Sequence, residues 1–249
     1  MDRLMRFTDL VPRGLIVSCQ ALEDEPLHGP HIMAGMARAA LMGGAIGIRA
    51  NGPDDIRAIK AAVELPVVGL LKEPHSDSDV YITPTLAAAR NVAQAGADVV
   101  AIDATARPRP GGETFEAILS GLKAEFKVLV LADVSTFEEG MDAVRAGADA
   151  VATTMAGYTE YTSQSAMPAF DLLERLVIHS PVPVVAEGGI IDAEQAARAM
   201  ALGAYAAVVG GAITRPQLIT ARFVKAVNQQ LGIELRNTKE IPPGSSERP

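Results

Sequence analysis

AGADVVAID, residues 95–103, closes a helix-length stretch on the pair Gly96-Ala97 and opens at once into a β-branched run that ends in a carboxylate. Three other Gly-Ala pairs repeat this join, and the four lie 51 to 56 residues apart: Gly44-Ala45 before IGIR, Gly147-Ala148 before DAVATT and Gly203-Ala204 before YAAVVG. A second set of apolar runs falls between them: LIVSC (15–19), PVVGLL (66–71), KVLVLA (127–132) and PVPVVA (181–186). Interleaved, the two sets predict eight strands separated by helix-length segments, with a further helix at 216–230. A regular period marks a repeated supersecondary unit, and strict strand–helix alternation implies a parallel sheet. Eight such units in 249 residues predict a single-domain (β/α)8 TIM barrel over 1–236, followed by a tail at 237–249 without apolar periodicity.

Composition suits that architecture. Apolar residues make up 49 % of the chain and aromatics only 4 %, so the core must be built from Val, Ile, Leu and Ala, as barrel interiors are. The net charge of −8 and the lack of a basic run argue against a nucleic-acid partner. A single cysteine, Cys19, allows no intrachain disulfide and fits a reducing compartment. The opening MDRLMRFTDLVPRG has no apolar segment of signal-peptide length, and no apolar run reaches membrane-spanning length. The expected setting is therefore cytoplasmic. The final pattern LITARFVKAVNQQL is compatible with a homodimer.

Loop length is unevenly shared. The predicted αβ connections are short, whereas ALEDEPLHGP, KEPHSDSDVYITP and MAGYTEYTSQSAMP, after strands one, three and six, are long. The last two read as extended polar loops. Length on one face marks the face that carries activity in such barrels. The strands end there in Ser18-Cys19-Gln20, Arg49-Ala50-Asn51, Lys72-Glu73, Asp103-Ala104-Thr105, Asp133, Thr153-Thr154, Glu187-Gly188-Gly189 and Gly210-Gly211. VVAEGGI and VVGGAITRP place glycine pairs after strands seven and eight, ahead of helices, the usual phosphate seat of a barrel. Gly188, Gly189, Gly210 and Gly211 are the candidate donors, with Arg215 as the candidate charge partner. No G-x-x-x-x-G-K-[ST] motif points to a nucleotide loop.

Lys72 follows the buried run VVGLL, where desolvation lowers an amine's proton affinity and makes it available as a base. Glu187 projects from the strand across the barrel; it can pair with Lys72 structurally or move a proton itself. An imine with a carbonyl substrate is a third use of such a lysine. His28, His31, His75 and His179 show no metal-ligand spacing, and no metal or cofactor is expected. Cys19 and Met33, Met36 and Met42 read as packing residues, and Asp54-Asp55 and Glu138-Glu139 as acidic residues opening helices.

LIVSCQALEDEPLH, GGAIGIRAN, VYITPT, GADVVAIDATARPRP, LADVSTFEE, TTMAGYT, VVAEGGI and VVGGAITRP occur in this order over residues 15–223. Together they resemble the N-acetylmannosamine-6-phosphate 2-epimerases of sialic acid catabolism. The resemblance implies a (β/α)8 barrel that interconverts N-acetylmannosamine 6-phosphate and N-acetylglucosamine 6-phosphate without a metal or organic cofactor. It places the catalytic lysine at Lys72 and the catalytic glutamate at Glu187, with substrate contacts at Gln20, Arg49 and Asp133. Tyr158, in the sixth βα loop, is then expected to help close the site. Family members often carry a larger residue where this chain has Gly189, and commonly serine where it has Gly211. The rivals are another phosphosugar barrel, such as a pentose-phosphate 3-epimerase, and a non-catalytic sugar-phosphate-binding barrel.

Overall fold

A computed structural model of the chain describes residues 5–233, so the tail expected at 237–249 lies outside the described residues. A short helix, α1 (Phe7–Leu10), precedes eight parallel strands: β1 (Gly14–Cys19), β2 (Gly47–Asn51), β3 (Val67–Leu70), β4 (Val99–Asp103), β5 (Leu129–Asp133), β6 (Ala150–Ala152), β7 (Val184–Glu187) and β8 (Ala206–Val209). Between and after them run α2 (Pro30–Met42), α3 (Pro53–Ala62), α4 (Leu86–Gln94), α5 (Phe115–Glu125), α6 (Phe137–Ala146), α7 (Phe170–His179), α8 (Ala193–Ala201) and α9 (Pro216–Leu231). The strands pair in chain order, and β1 pairs with β8 from Gly14↔Ala206 to Val17↔Val209, closing the barrel.

The pleat sorts side chains into two cores, because successive strand residues face opposite sides. Ile16, Val68, Leu70, Val99, Ala101, Leu129, Leu131, Ala150, Ala152, Val185, Ala206 and Val208 fill the lumen. Their neighbours, among them Val17, Ile48, Val67, Val100, Ile102, Val130, Val151 and Val184, pack outward under the helices. Phe7 and Val11 join the lumen cluster from the lead-in, and the Tyr205 hydroxyl donates to Val11 O at 2.8 Å. The N-terminal mouth is thus plugged by the segment that precedes β1.

Gly69 occupies an outward position of β3, where a Cβ would come within 2.7 Å of Ala97 Cβ and 2.8 Å of Ile56 Cδ1 and Val92 Cγ1. Glycine lets α3 and α4 close over the strand. Gly69→Ala is expected to destabilise the protein by about 1–3 kcal/mol through overpacking, read as a lower denaturant midpoint at an unchanged slope.

Two helices are capped by side chains: Thr136 and Asp192 accept from Glu139 N and Gln195 N. Two features differ from the sequence reading. The connection after β4, residues 104–114, is also long and contains a 3₁₀ turn at Pro110–Gly112. The loop after β3 is not simply polar, since Val80, Tyr81, Ile82 and Thr83 are buried. It folds back antiparallel, with Lys72 opposite Ile82, Glu73 N donating to Tyr81 O at 2.9 Å and Asp103 N donating to Ile82 O at 3.1 Å. This segment wedges between the upper ends of β3 and β4. Thr83 there takes φ 47°, a left-handed conformation costly for a β-branched residue, and its hydroxyl is held by Ala101 O at 2.7 Å.

Candidate active site

The alternation that fills the lumen also selects which strand ends face it. Counting inward positions by twos from the lumen residues reaches Ser18 and Gln20, Lys72, Asp103, Asp133, Thr154, Glu187 and Gly210, and the register Ser18↔Arg49 adds Arg49 and Asn51 on β2. These groups ring the C-terminal mouth, and four of them form a charged floor. Arg49 Nη2 donates to Asp133 Oδ2 at 2.6 Å and Nη1 to Oδ1 at 3.2 Å, a bidentate pair with both side chains fully buried. Arg49 Nε lies 3.2 Å from Glu187 Oε1, at ion-pair distance but without hydrogen-bond alignment. Burial works against the Arg49 charge, but Asp133 and Glu187 outweigh it and its proton affinity is raised.

Glu187 is fixed at both ends. Thr153 Oγ1 accepts from Glu187 N at 3.1 Å and donates to Glu187 O at 2.9 Å, and Thr154 Oγ1 lies 3.1 Å from Glu187 Oε2. Burial pushes the Glu187 carboxyl up to about 7, with Asp133 adding to burial and Arg49 opposing it. Lys72 is half-buried, and its backbone N donates to Asn51 Oδ1 at 2.8 Å. Burial brings its amine down to about 7; Arg215 and Arg49 add to that, while Glu187 and Glu25 oppose it. Lys72 and Glu187 are therefore close enough for each to shift the other's proton affinity, and both sit where a proton can move near neutrality.

The other expected residues fall nearby. Gln20 is buried with Nε2 donating to Ser18 Oγ at 2.9 Å, and its Oε1 has no partner among the described residues. Tyr158 is partly buried against the lumen cluster that also holds Tyr81 and Met155. Gly188 and Gly189 take φ of 106° and 69°, and a Cβ on Gly189 would come within 2.8 Å of Met167 Cβ. Conformation and the sixth βα loop thus give both positions a reason to be glycine besides an anion. Gly210 opens the turn into α9, its carbonyl accepting from Ile213 N and Thr214 N at 2.8 and 2.9 Å.

Several of the expected residues and helix starts have partners within the chain. At the start of α8 the cap Asp192 takes Gln195 N, and α9 begins with Pro216, which has no N–H. Arg215 is held by Glu25 of the first βα loop, with Nε 2.9 Å from Oε1, and Leu22 N also donates to Glu25 Oε2 at 2.9 Å. Asp103 faces inward but is tied to loop four by Arg107 Nη2 at 2.6 Å and by Thr105. Glu139 is more than a helix-opening charge: it is buried and accepts from Ser135 and Thr136 N, Ala106 N and the Tyr161 hydroxyl, joining loops four, five and six. Asp55 is likewise buried, which raises its carboxyl to about 6. Cys19 is buried in the outer core, which raises its thiol to about 12, in keeping with a packing role.

Glu25, Asn51 and Thr154 are site residues that residue-type reasoning did not single out. Parity along the strands would have found Asn51 and Thr154. Glu25 carries no local signal, because only the folded first loop brings it to the end of β8.

A closed parallel barrel with a desolvated lysine and a protonatable glutamate in its mouth defines an acid–base enzyme of the (β/α)8 class. The comparisons specify it further. Residues 33–229 match the family model described as "Putative N-acetylmannosamine-6-phosphate epimerase", and the chain belongs to that family. A relative from Caldanaerobacter subterraneus subsp. tengcongensis is 52 % identical over 218 residues, 87 % of this chain and 92 % of its own. One from Clostridium perfringens strain SM101 is 49 % identical over 215 residues, 86 % of this chain and 97 % of its own. Both are named "Putative N-acetylmannosamine-6-phosphate 2-epimerase". The solved structure of the N-acetylmannosamine-6-phosphate 2-epimerase from Clostridium perfringens superposes with a TM-score of 0.86 at 46 % identity, covering 91 % of this chain and 98 % of that one. Thiamine phosphate pyrophosphorylase from Pyrococcus furiosus, at 17 % identity and TM-score 0.53, shares the fold alone and covers 86 % of this chain and 96 % of that one.

Proposed function

We propose that this single-domain barrel interconverts N-acetylmannosamine 6-phosphate and N-acetylglucosamine 6-phosphate by moving the proton at C2, within sialic acid and amino-sugar breakdown. The observation that carries this reading is the Lys72–Glu187 pair, both members poised near neutrality in the mouth of a family barrel. The C2 proton is acidic only beside a C1 carbonyl, so the sugar reacts in open-chain form. Neutral Lys72 takes the proton while the electron pair moves onto the C1 oxygen. A proton then returns to the opposite face of C2, with Glu187 sharing the transfer. Arg49, pinned by Asp133, supplies positive charge from beneath the developing oxyanion. Gln20 Oε1 offers an acceptor to a sugar hydroxyl or amide, and Tyr158 shields the site.

The phosphate is held at the β7 and β8 turns by Gly188, Gly189, Gly210 and Gly211, with Arg215 supplying charge. Binding remote from the reacting carbon fixes orientation. Arg215→Ala is therefore expected to raise KM by roughly tenfold or more, the value of a charge-assisted contact, and, because Arg215 also helps hold the Lys72 amine down, to lower kcat at neutral pH with recovery at higher pH. The reaction is tested by incubating the enzyme with N-acetylmannosamine 6-phosphate in D2O and following C2 by NMR. Appearance of the product carrying deuterium at C2 supports the reading, and product retaining hydrogen there contradicts it.

A homodimer is part of this reading. A helix following β8 would ordinarily cover β8 and β1, yet α9 buries no residue, and Phe223 on it is 70 % exposed, alongside Val224, Val227 and Leu231 on the same face. An apolar groove of about 260 Å³ remains over β1, lined by Leu15, Val17, Met36, Ala39, Ala40 and Ile213. Met42 at the end of α2 is 88 % exposed, so it does not pack within the chain as read from sequence. We assign the α9 face of a second copy to this groove. Light scattering is expected to give a dimer mass for the native chain and a monomer mass for a Phe223→Asp, Val227→Asp variant; a native monomer would refute the assignment.

No helix among the described residues is long and apolar enough to cross a membrane. A cytoplasmic setting belongs to the same proposal, supported by the single, buried, unpaired Cys19.

A further inference from the structure

One hydroxyl hydrogen faces two carboxylates in the floor of the site. Thr154 Oγ1 lies 2.7 Å from Asp133 Oδ1 and 3.1 Å from Glu187 Oε2. A threonine hydroxyl has one donor and two lone pairs. It donates to one of these oxygens, and toward the other it must accept or suffer lone-pair repulsion. Asp133 has the stronger claim on the hydrogen: the contact is shorter, and the Asp133 carboxylate is the one held in the bidentate pair with Arg49. The 3.1 Å contact to Glu187 is then favourable only when Glu187 Oε2 carries a proton of its own.

We propose that Thr154 is a positioning residue that holds the proton on Glu187, accepting from its carboxyl group while donating to Asp133, and so leaves the Lys72 amine neutral. The proposal rests on the reading of Lys72 and Glu187 as the acid–base pair and adds the group that sets their joint protonation. Glu187 faces Arg49 from β2, Asp133 from β5, Thr154 after β6 and Lys72 after β3; a hydroxyl that donated to Glu187 would hold its carboxyl down, so the proposed role requires the Thr154 hydrogen to stay on Asp133. Lys72 faces Arg215 after β8, Arg49, Glu187 and Glu25 of the first βα loop.

Charge balance points the same way. Arg49 and Asp133 already cancel within the floor, so ionising Lys72 and Glu187 together adds two further desolvated charges, which burial disfavours. The pair has one proton to share, and Thr154 tilts it toward a carboxylic acid and a neutral amine. That state is loaded for the reaction. The C2–H bond breaks toward Lys72 Nζ and its electrons move onto the C1 oxygen. As C1=O re-forms, C2 takes up a proton, and the pair regains its single proton at the end of the cycle. Thr153, one residue earlier, grips the Glu187 backbone on both sides, so the adjacent threonines fix main chain and carboxyl separately.

The test measures kcat and KM for N-acetylmannosamine 6-phosphate across pH in the wild type, Thr154→Ser and Thr154→Val, together with the ¹³C carboxyl titration of Glu187 in the wild type. Serine keeps the hydroxyl and is expected to retain the wild-type profile to within about a factor of two. Valine removes the acceptor and lets Glu187 ionise, which raises the Lys72 amine. Its kcat should fall roughly tenfold at neutral pH with KM little changed, and its acid limb should move up by about one pH unit, the equivalent of that tenfold change. A valine profile identical to wild type overturns the proposal, as does a uniform loss at every pH. A shift of the acid limb to lower pH would mean that Thr154 donates to Glu187 instead, and also overturns it. If the valine variant fails to fold, the Glu187 titration in Thr154→Ala beside the wild type decides: a midpoint lower in alanine supports the proposal, and an unchanged or higher midpoint, or a wild-type carboxylate ionised throughout, refutes it. An inactive wild type would sink the epimerase reading itself, with the carboxyl titration still deciding the part of Thr154.

Discussion

Lys72→Ala is expected to remove epimerase activity, lowering kcat by roughly 10²–10⁴-fold, the range for loss of a positioned acid–base group. KM should change far less, because the proposed phosphate end on the turns after β7 and β8 is untouched. The fold should survive. Lys72 is held through its backbone by Asn51 Oδ1 and by the pairing with Ile82, neither of which needs the amine. Removing a desolvated amine relieves an unfavourable burial, so the thermal midpoint is expected to stay level or rise slightly. Lys72→Arg supplies the companion result. A guanidinium stays protonated at neutral pH and cannot take the C2 proton, so that variant should be nearly as inactive as alanine. Both are checked by NMR time courses on the phosphosugar beside thermal melts, and wild-type turnover in either would refute the assignment of the base.

Arg49→Leu is expected to show the largest loss of stability. The guanidinium is fully buried and neutralises Asp133 through two hydrogen bonds while lying 3.2 Å from Glu187. Leucine strips Asp133 of its cation within the buried floor, and breaking a buried pair from one side costs about 3–5 kcal/mol. For a chain of this size that lowers the melting temperature by very roughly 6–20 °C. Activity should fall as well, since two carboxyl groups would face one another without a cation between them. Adding Asp133→Asn to Arg49→Leu should restore part of the stability, because it removes the stranded charge, but none of the turnover. A double variant as unstable as the single one would show that Arg49 acts through packing rather than charge.

The sequence and the structure agree where regular periodicity carries the information. Gly-Ala joins such as Gly96-Ala97 mark helix ends, and the β-branched runs after them form the staves in chain order. Strand ends come within two or three residues of the sequence reading, because apolar runs extend past the last ladder bond. The side chains proposed as catalytic are legible for the same reason. Once Val68 and Leu70 are inward, so is Lys72, and once Val185 is inward, so is Glu187. Other features depend on contacts between distant loops. Nothing local to Glu25 shows that it meets Arg215, 190 residues away, and Glu139 reads as a helix-opening acid until loops four and six close upon it. The buried wedge at 80–83 was hidden inside a polar segment, although VYIT is itself a short β-prone run. The glycine pairs after β7 and β8 fit the phosphate motif, and the structure gives Gly188 and Gly189 a conformational reason to be glycine as well.

The account depends most heavily on an amine in the barrel mouth that is neutral when the enzyme works. Titration of the Lys72 side chain by ¹³C NMR, with Lys72→Ala providing the assignment, measures that property without relying on turnover. A midpoint near 7, some three units below an ordinary lysine, is the result this structure requires. A midpoint above about 9 would leave the amine charged at neutral pH and contradict Lys72 as the base.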